Sequence, residues 1–348
     1  MNTIFIVTEA NKCVATGHLM ECIVCAEALL ENGYEVSFWI NDDAGKDLKK
    51  RIPCQLCEYH NSIEEDYELL VEEVYMTQPK VVIFNLREIS ERFLEVFKEK
   101  IQNRTTIICI DEFGHRQLGA DIIVNPMIDS YYWDYGESKA CLFCGAKYLI
   151  LPKELELYHQ KQKTVNKIIQ KIVITMGGVD PKNYTLDLIE IVSRYFVSAD
   201  INIVVGGGNQ HYEDIIRKAD RCIEIYHNKI IISQNILHSE LLQMMHEADV
   251  VLCAGGNTLH EVACIGTPAI ILPSMPHEKR TVESFVNKGF GLVINIGHSW
   301  KREISLCFEI IKSYQIRERM SANGKNISDG MGRKRVVKII NELVSLKN

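Results

Sequence analysis

Three short stretches of the 348-residue chain combine side chains that can do chemistry with the small residues needed to present them. The first is CVATGHLMEC, residues 13–22, where Thr16 and Gly17 precede a single histidine, His18. An imidazole titrates near neutrality, so a histidine aimed by a loop can take up or deliver a proton. The partial positive charge at a helix N-terminus favours the neutral, proton-accepting ring. Glu21 follows three residues later on the same helical face, where a carboxylate raises the histidine's pKa or fixes its tautomer. Taken alone, His18 also fits an ordinary surface residue at a helix start.

The second stretch is VVLCAGGNTLHEVACIGTPAIILP, residues 250–273. It predicts a strand ending at Ala254, then a tight turn at Gly255 and Gly256 that a ligand can approach closely. Asn257 or Thr258 caps the helix that follows, and the unpaired N–H groups of a helix start suit phosphate. Glu261 lies about one turn inside. A carboxylate there can accept from the two hydroxyls of a ribose whose diphosphate rests on the glycine turn. A plain strand–turn–helix with a solvated glutamate has the same pattern. The third stretch is VITMGGVDPKNYT, residues 173–185, with Gly177, Gly178 and the turn former Asp180-Pro181. It fits direct ligand contact and a tight strand-to-helix connection equally.

The elements that must position these residues alternate. TIFIVT, EVSFWI, KVVIF, TTIICI and DIIVN predict strands of a first series, with helices over 18–31, 63–77 and about 90–101. KIVITM, INIVVG, KIIIS, VVLCA and PAIILP predict a second series. Short β-branched strands between amphipathic helices mean parallel sheets covered on both faces. Residues 1–155 are expected to form one Rossmann-like domain carrying the histidine loop. The charged stretch at 156–168 is expected as a linker, and residues 169–348 as a second Rossmann-like domain ending in a helix. Two such α/β domains facing each other leave a cleft at the C-terminal ends of their strands.

Bulk properties narrow the classes. Hydrophobic residues are 47% and charged residues 24%, as in an ordinary globular protein. A net charge of −7 argues against non-specific nucleic-acid binding. No apolar run reaches the roughly 18 residues of a membrane span. The opening MNTIFIVTEANKC lacks the pattern of a signal peptide, so a cytoplasmic protein is expected. Twelve cysteines in such a setting are mostly buried thiols. Three CxxC spacings occur, at Cys22/Cys25, Cys54/Cys57 and Cys141/Cys144. The first lies in a core helix, and the other two lie in strands, where residues three apart face opposite ways. Neither metal nor cofactor is expected.

Taken in order, TGHLMECIVCAEAL, IDEFGHRQLGADIIVNP, CGAKYLILPKEL, ITMGGVDPKNYTL, VLCAGGNTLHEVACIGTPAIILP and MSANGKNISDGMGRKRVV resemble one family along nearly the whole chain. It is the UDP-2,4-diacetamido-2,4,6-trideoxy-β-L-altropyranose hydrolases of pseudaminic acid biosynthesis, with the related spore-coat polysaccharide proteins. The resemblance implies a GT-B-type fold akin to the peptidoglycan N-acetylglucosaminyltransferase. It implies that His18 is catalytic, with Thr16, Gly17 and Glu21 beside the substrate. It places UDP on Gly255, Gly256, Asn257, Thr258 and Glu261, and turns Gly177, Gly178 and Asp180 toward the nucleotide-sugar.

Three positions depart from the family. Glu21 stands where a basic residue is usual, FNLRE at 84–88 where an Asp-His/Tyr pair is usual, and PHEKR near 277–280 where an Asn-Gln pair is common. All three could touch the sugar or phosphates. The expected activity is hydrolysis of a UDP-activated amino sugar by a monomer or weak oligomer, without nucleic-acid partner. The alternative is a glycosyltransferase of the same fold using a UDP-amino sugar donor. A binding subunit without catalysis is a third possibility.

Overall fold

The computed structural model describes residues 2–10, 17–41, 49–86, 89–90, 92–110, 119–136, 138–294 and 300–346. The chain divides into two compact units, Met1–Lys153 with Gly330–Asn348, and Glu154–Asp329. The first unit holds β1 (Thr3–Thr8), β2 (Glu35–Asn41), β3 (Gln55–Tyr59), β4 (Val81–Asn85), β5 (Thr106–Ile110), β6 (Ile122–Asn125) and β7 (Cys141–Cys144). They form one sheet in the order β3-β2-β1-β4-β5-β6-β7, with every pairing parallel. Helices α1 (Gly17–Glu31), α2 (Tyr67–Thr77) and α3 (Phe93–Lys100) connect them.

Side-chain alternation explains why these strands read as unbroken apolar runs. Ile4 and Ile6 of β1 pack on one face with Leu19, Ile23 and Ala26 of α1. Phe5 and Val7 pack on the other with Leu70 and Val74 of α2 and Phe97 of α3. Successive strand residues point to opposite faces, so a sheet covered twice needs apolar side chains at every position.

The second unit runs α4 (Glu154–Gln160), β8 (Lys171–Thr175), α5 (Tyr184–Tyr195), β9 (Asp200–Val205), α6 (Tyr212–Tyr226), β10 (Lys229–Gln234) and α7 (His238–Glu247). It continues with β11 (Val250–Cys253), α8 (Asn257–Ile265), β12 (Ala269–Ile271), α9 (Glu278–Asn287), β13 (Leu292–Val293), α10 (Trp300–Ile311) and α11 (Tyr314–Ile327). Its sheet order is β10-β9-β8-β11-β12-β13, again all parallel. In each sheet the strand order reverses beside the unit's first strand, between β1 and β4 and between β8 and β11. Ligands of open α/β sheets bind outside the carboxyl ends of the strands at such a point.

Two expectations about the division of the chain need correction. The stretch 156–168 is not a free linker. Lys325 Nζ donates to the carbonyls of His159 and Lys161 at 2.8 and 2.6 Å. Lys163 Nζ donates to the carbonyls of His246 and Ala248 at the end of α7, groups that a helix terminus leaves unpaired. The buried guanidinium of Arg317 donates to the carbonyls of Asn166 and Lys167. The charged residues that suggest a solvated connection are the groups that fasten it to the second unit.

The closing helix α12 (Gly332–Leu346) belongs to the first unit and not to 169–348. Its Val336, Val337, Ile340 and Val344 complete the core on the α1 side of the sheet. Arg333 pairs with Glu31 of α1 at 3.0 Å. Gly332 runs so close to the chain that a Cβ there would fall 1.8 Å from the Leu149 carbonyl oxygen. An amphipathic stripe goes where an uncovered apolar face exists, whatever its place in the sequence. Among the described residues, no helix is long and apolar enough to cross a membrane.

Candidate functional site

The switch point of the first sheet carries the histidine. Thr16 lies outside the described residues, as do Arg87 and Glu88 of the FNLRE stretch. α1 starts at Gly17 and places His18 in its first turn. Thr8 and Asn85 end β1 and β4 as register partners, both wholly buried. His18 Nδ1 lies 2.6 Å from Asn85 Oδ1. Asn85 Nδ2 donates to Glu21 Oε2 at 3.3 Å, and Glu21 is buried. Thr8 Oγ1 donates to the Asn85 carbonyl at 2.9 Å, and the Tyr59 hydroxyl donates to the Thr8 carbonyl at 2.8 Å.

The structure therefore links Glu21 to His18 through Asn85. The sequence marks Asn85 only as part of a departure from the family pattern. Cys22 sits beside this cluster, and burial pushes its thiol well above the usual range. Such a thiol stays protonated and is no nucleophile.

In the second unit, Gly177 and Gly178 follow β8, and nothing lies within 4 Å of the space a Cβ would take at either. Gly177 adopts φ +75°, which favours glycine. Behind this loop runs Gly206–Gly207–Gly208, at the end of β9. Gly208 N donates to the Gly178 carbonyl at 3.0 Å, and a Cβ at Gly206 would fall 2.3 Å from that oxygen. The triple glycine is the visible signal for this close packing.

Asp180 is buried, and its two carboxylate oxygens accept from the backbone N–H groups of Tyr184 and Thr185 at 3.0 and 2.9 Å. It anchors the first turn of α5, where a negative charge also meets the helix dipole. The resemblance turns it toward the nucleotide-sugar. In the structure its contacts fasten the glycine loop to the helix.

The Gly255–Gly256 turn leads into α8. A Cβ at Gly255 would lie 2.5 Å from Val282 Cγ2 and 2.9 Å from Glu278 Cβ, so this glycine admits α9. Glu278 is a buried carboxylate whose Oε2 accepts from the N–H groups of Gly255, Ser274 and Met275 at 3.2, 2.7 and 3.2 Å. The Gly255 N–H is thus already engaged. By helix geometry the N–H groups of Asn257 and Thr258 have no acceptor within the helix and suit an anion. In the sequence, Glu278 stands out only as part of the PHEKR departure.

Glu261 is buried in α8, and His238 Nε2, at the start of α7, lies 3.2 Å from its Oε1. The preceding residue, His260, packs edge-on against Phe285 at 4.8 Å, and burial pushes its imidazole down to about 4. Of the CxxC pairs, Cys141 is exposed while Cys144 is buried, and Cys22 and Cys25 are both buried in α1. Among the described residues no group of three His, Cys, Asp or Glu side chains could hold a metal ion.

No protein-family model matches the sequence. The chain is similar to the spore coat polysaccharide biosynthesis protein SpsG of Bacillus subtilis (strain 168). The two are 24% identical over 285 residues, covering 80% of this chain and 81% of that protein. The crystal structure of MurG from Acinetobacter baumannii matches with a TM-score of 0.71 over 98% of this chain and 100% of its own, at 14% identity. UDP-GlcNAc 2-epimerase from Neisseria meningitidis, solved bound to UDP-GlcNAc, matches with a TM-score of 0.65 over 99% of this chain and 100% of its own, at 13% identity. With parallel sheets of seven and six strands in two α/β units, the chain has a GT-B-type fold, and its sequence is similar to that of the spore coat polysaccharide biosynthesis protein.

Proposed function

We propose that the chain hydrolyses a UDP-activated amino sugar, of the diacetamido-trideoxy type, to UDP and the free sugar. The product would feed a nonulosonic acid or a surface polysaccharide. The observation that carries this reading is the hydrogen-bonded chain His18–Asn85–Glu21 at the switch point of the first sheet. It aims one imidazole and holds it in place. Water attacks the anomeric carbon, the bond from that carbon to the diphosphate oxygen breaks, and UDP leaves with the electron pair. His18 orients the water or takes its proton, a contribution of roughly 10² to 10⁴ in rate.

The start of α8 stabilises the charge that grows on the departing diphosphate. Glu261 takes the ribose hydroxyls. The likeness to a polysaccharide biosynthesis protein and a fold shared with an epimerase solved with UDP-GlcNAc support a nucleotide-sugar substrate. The same fold in a solved glycosyltransferase from Rickettsia africae keeps a glycosyltransferase as the second reading.

One experiment separates the readings. Candidate UDP-sugars are incubated with the protein in ¹⁸O-water, with and without an acceptor extract. Heavy oxygen in the free sugar is the expected result. Label in UDP means attack at phosphorus and refutes the mechanism. Sugar appearing on an acceptor selects the transferase, and UDP-sugar bound but never turned over selects a binding subunit.

A further inference from the structure

We infer that Asn85, oriented by Glu21, locks His18 in the Nδ1–H tautomer and leaves Nε2 as the ring nitrogen that accepts the proton. The inference rests on His18 acting in the reaction proposed above and assigns Asn85 and Glu21 as positioning residues for it. Two contacts carry it. Asn85 Nδ2 lies 3.3 Å from Glu21 Oε2, on a buried carboxylate. The amide NH₂ donates to that carboxylate oxygen, so the carbonyl end of the amide turns away from Glu21. The other end, the carbonyl oxygen, then faces His18 Nδ1 at 2.6 Å. A carbonyl oxygen also only accepts, so Nδ1 carries the hydrogen. In a neutral ring that leaves the lone pair on Nε2.

The two side-chain hydrogen bonds set which way the amide faces. Asn85 is wholly buried at the end of β4, and Thr8 Oγ1 holds its backbone carbonyl at 2.9 Å. Glu21 and His18 ride on the same helix, one turn apart, so α1 sets the span that the amide bridges. A neutral amide also fixes the tautomer without setting a full charge against the ring. Free histidine in water favours the opposite, Nε2–H form, so the tautomer is a specific mark of this arrangement.

Ring ¹⁵N resonances of the uniformly labelled full chain test this directly, at a pH where the ring is neutral, with His18→Asn identifying the signal. The wild type is expected to show a protonated Nδ1 and an unprotonated Nε2. Asn85→Leu and Glu21→Leu are expected to move His18 toward the Nε2–H form. They should lower kcat at least about tenfold with KM for the UDP-sugar unchanged, as expected when a general base is held in the wrong tautomer. An Nε2–H signal in the wild type overturns the inference, whatever the variants do. So does an Nδ1–H signal that persists in both variants. If the tautomer responds as expected but His18→Ala turns over normally, the lock stands and the catalytic reading of His18 falls.

Discussion

Replacing Glu278 by Ala measures how much of the glycine turn depends on one carboxylate. Its Oε2 is the acceptor for three backbone N–H groups, those of Gly255, Ser274 and Met275. With Ala, all three donors lose their partner, two of them on buried Gly255 and Ser274 and the third on half-buried Met275. An orphaned buried donor costs about 1–3 kcal/mol. Relief of the carboxylate's own desolvation offsets part of this, so the low end applies and the expected loss is about 3 kcal/mol. At roughly 2–4 °C per kcal/mol for a unit of this size, the transition should fall by about 6–12 °C.

Trp300 is the second unit's own tryptophan, packed at 5.7 Å against Tyr184. In a background with Trp39 and Trp133 replaced by Phe, its fluorescence follows that unit alone during urea unfolding. Glu278→Gln keeps an acceptor oxygen and should fall between wild type and Ala. Glu283→Ala, on an exposed position of the same helix, should stay within about 0.5 kcal/mol of wild type. If Glu278→Ala is no more costly than Glu283→Ala, the carboxylate does not organise the turn and the reasoning is wrong.

Three further outcomes are expected. His18→Ala should keep the fold and UDP affinity while lowering turnover by at least about a hundredfold; steady-state kinetics beside calorimetric UDP titration check both halves. Glu261→Ala should weaken UDP by about 1–3 kcal/mol, the cost of unpaired polar groups, and unchanged affinity by titration would remove Glu261 from the site. His260 makes the second unit acid-sensitive. Its native pKa is pushed down to about 4 by burial, so the unfolded chain binds its proton first. Stability is then full above the usual histidine range, about 6.5, and is lost as pH falls toward 4. Between about pH 6.5 and 5 the loss is about 2 kcal/mol, and urea midpoints of His260→Leu should lack that component.

What the sequence makes legible is local. The continuous apolar strands follow from residues such as Ile4, Phe5, Ile6 and Val7, each of which has a covered face to enter. The turn at Asp180-Pro181 is legible because its contacts are short-range, Asp180 accepting from the N–H groups of Tyr184 and Thr185 four and five residues on. The histidine at the head of α1 is visible because the apolar stripe of Leu19, Cys22, Ile23, Ala26 and Leu29 begins directly after it.

What escapes the sequence is set by pairing at a distance. Asn85 meets Glu21 across 64 positions, and Glu278 meets Gly255 across 23, with no periodicity to announce either. Lys163 and Lys325 look like solvated charges because their acceptors are carbonyls at the far ends of other segments. The destination of α12 depends on which apolar face the first unit leaves open, and the stripe on α12 itself does not encode that.

The return of α12 also inverts the order in which the chain can finish folding during synthesis. The second unit is one contiguous stretch, Glu154–Asp329, and holds all its own elements once that stretch has emerged. The first unit begins the chain but cannot close its core until Val336, Val337, Ile340 and Val344 arrive from the end. At about 5–20 residues per second, the wait lasts about 10–40 s after Lys153 is made. For that interval the apolar face of α1 and the sheet beneath it stand open to solvent and to chaperones. The half of the protein made first is therefore the half completed last, and the nascent chain is most exposed to misassembly around the helix that bears His18.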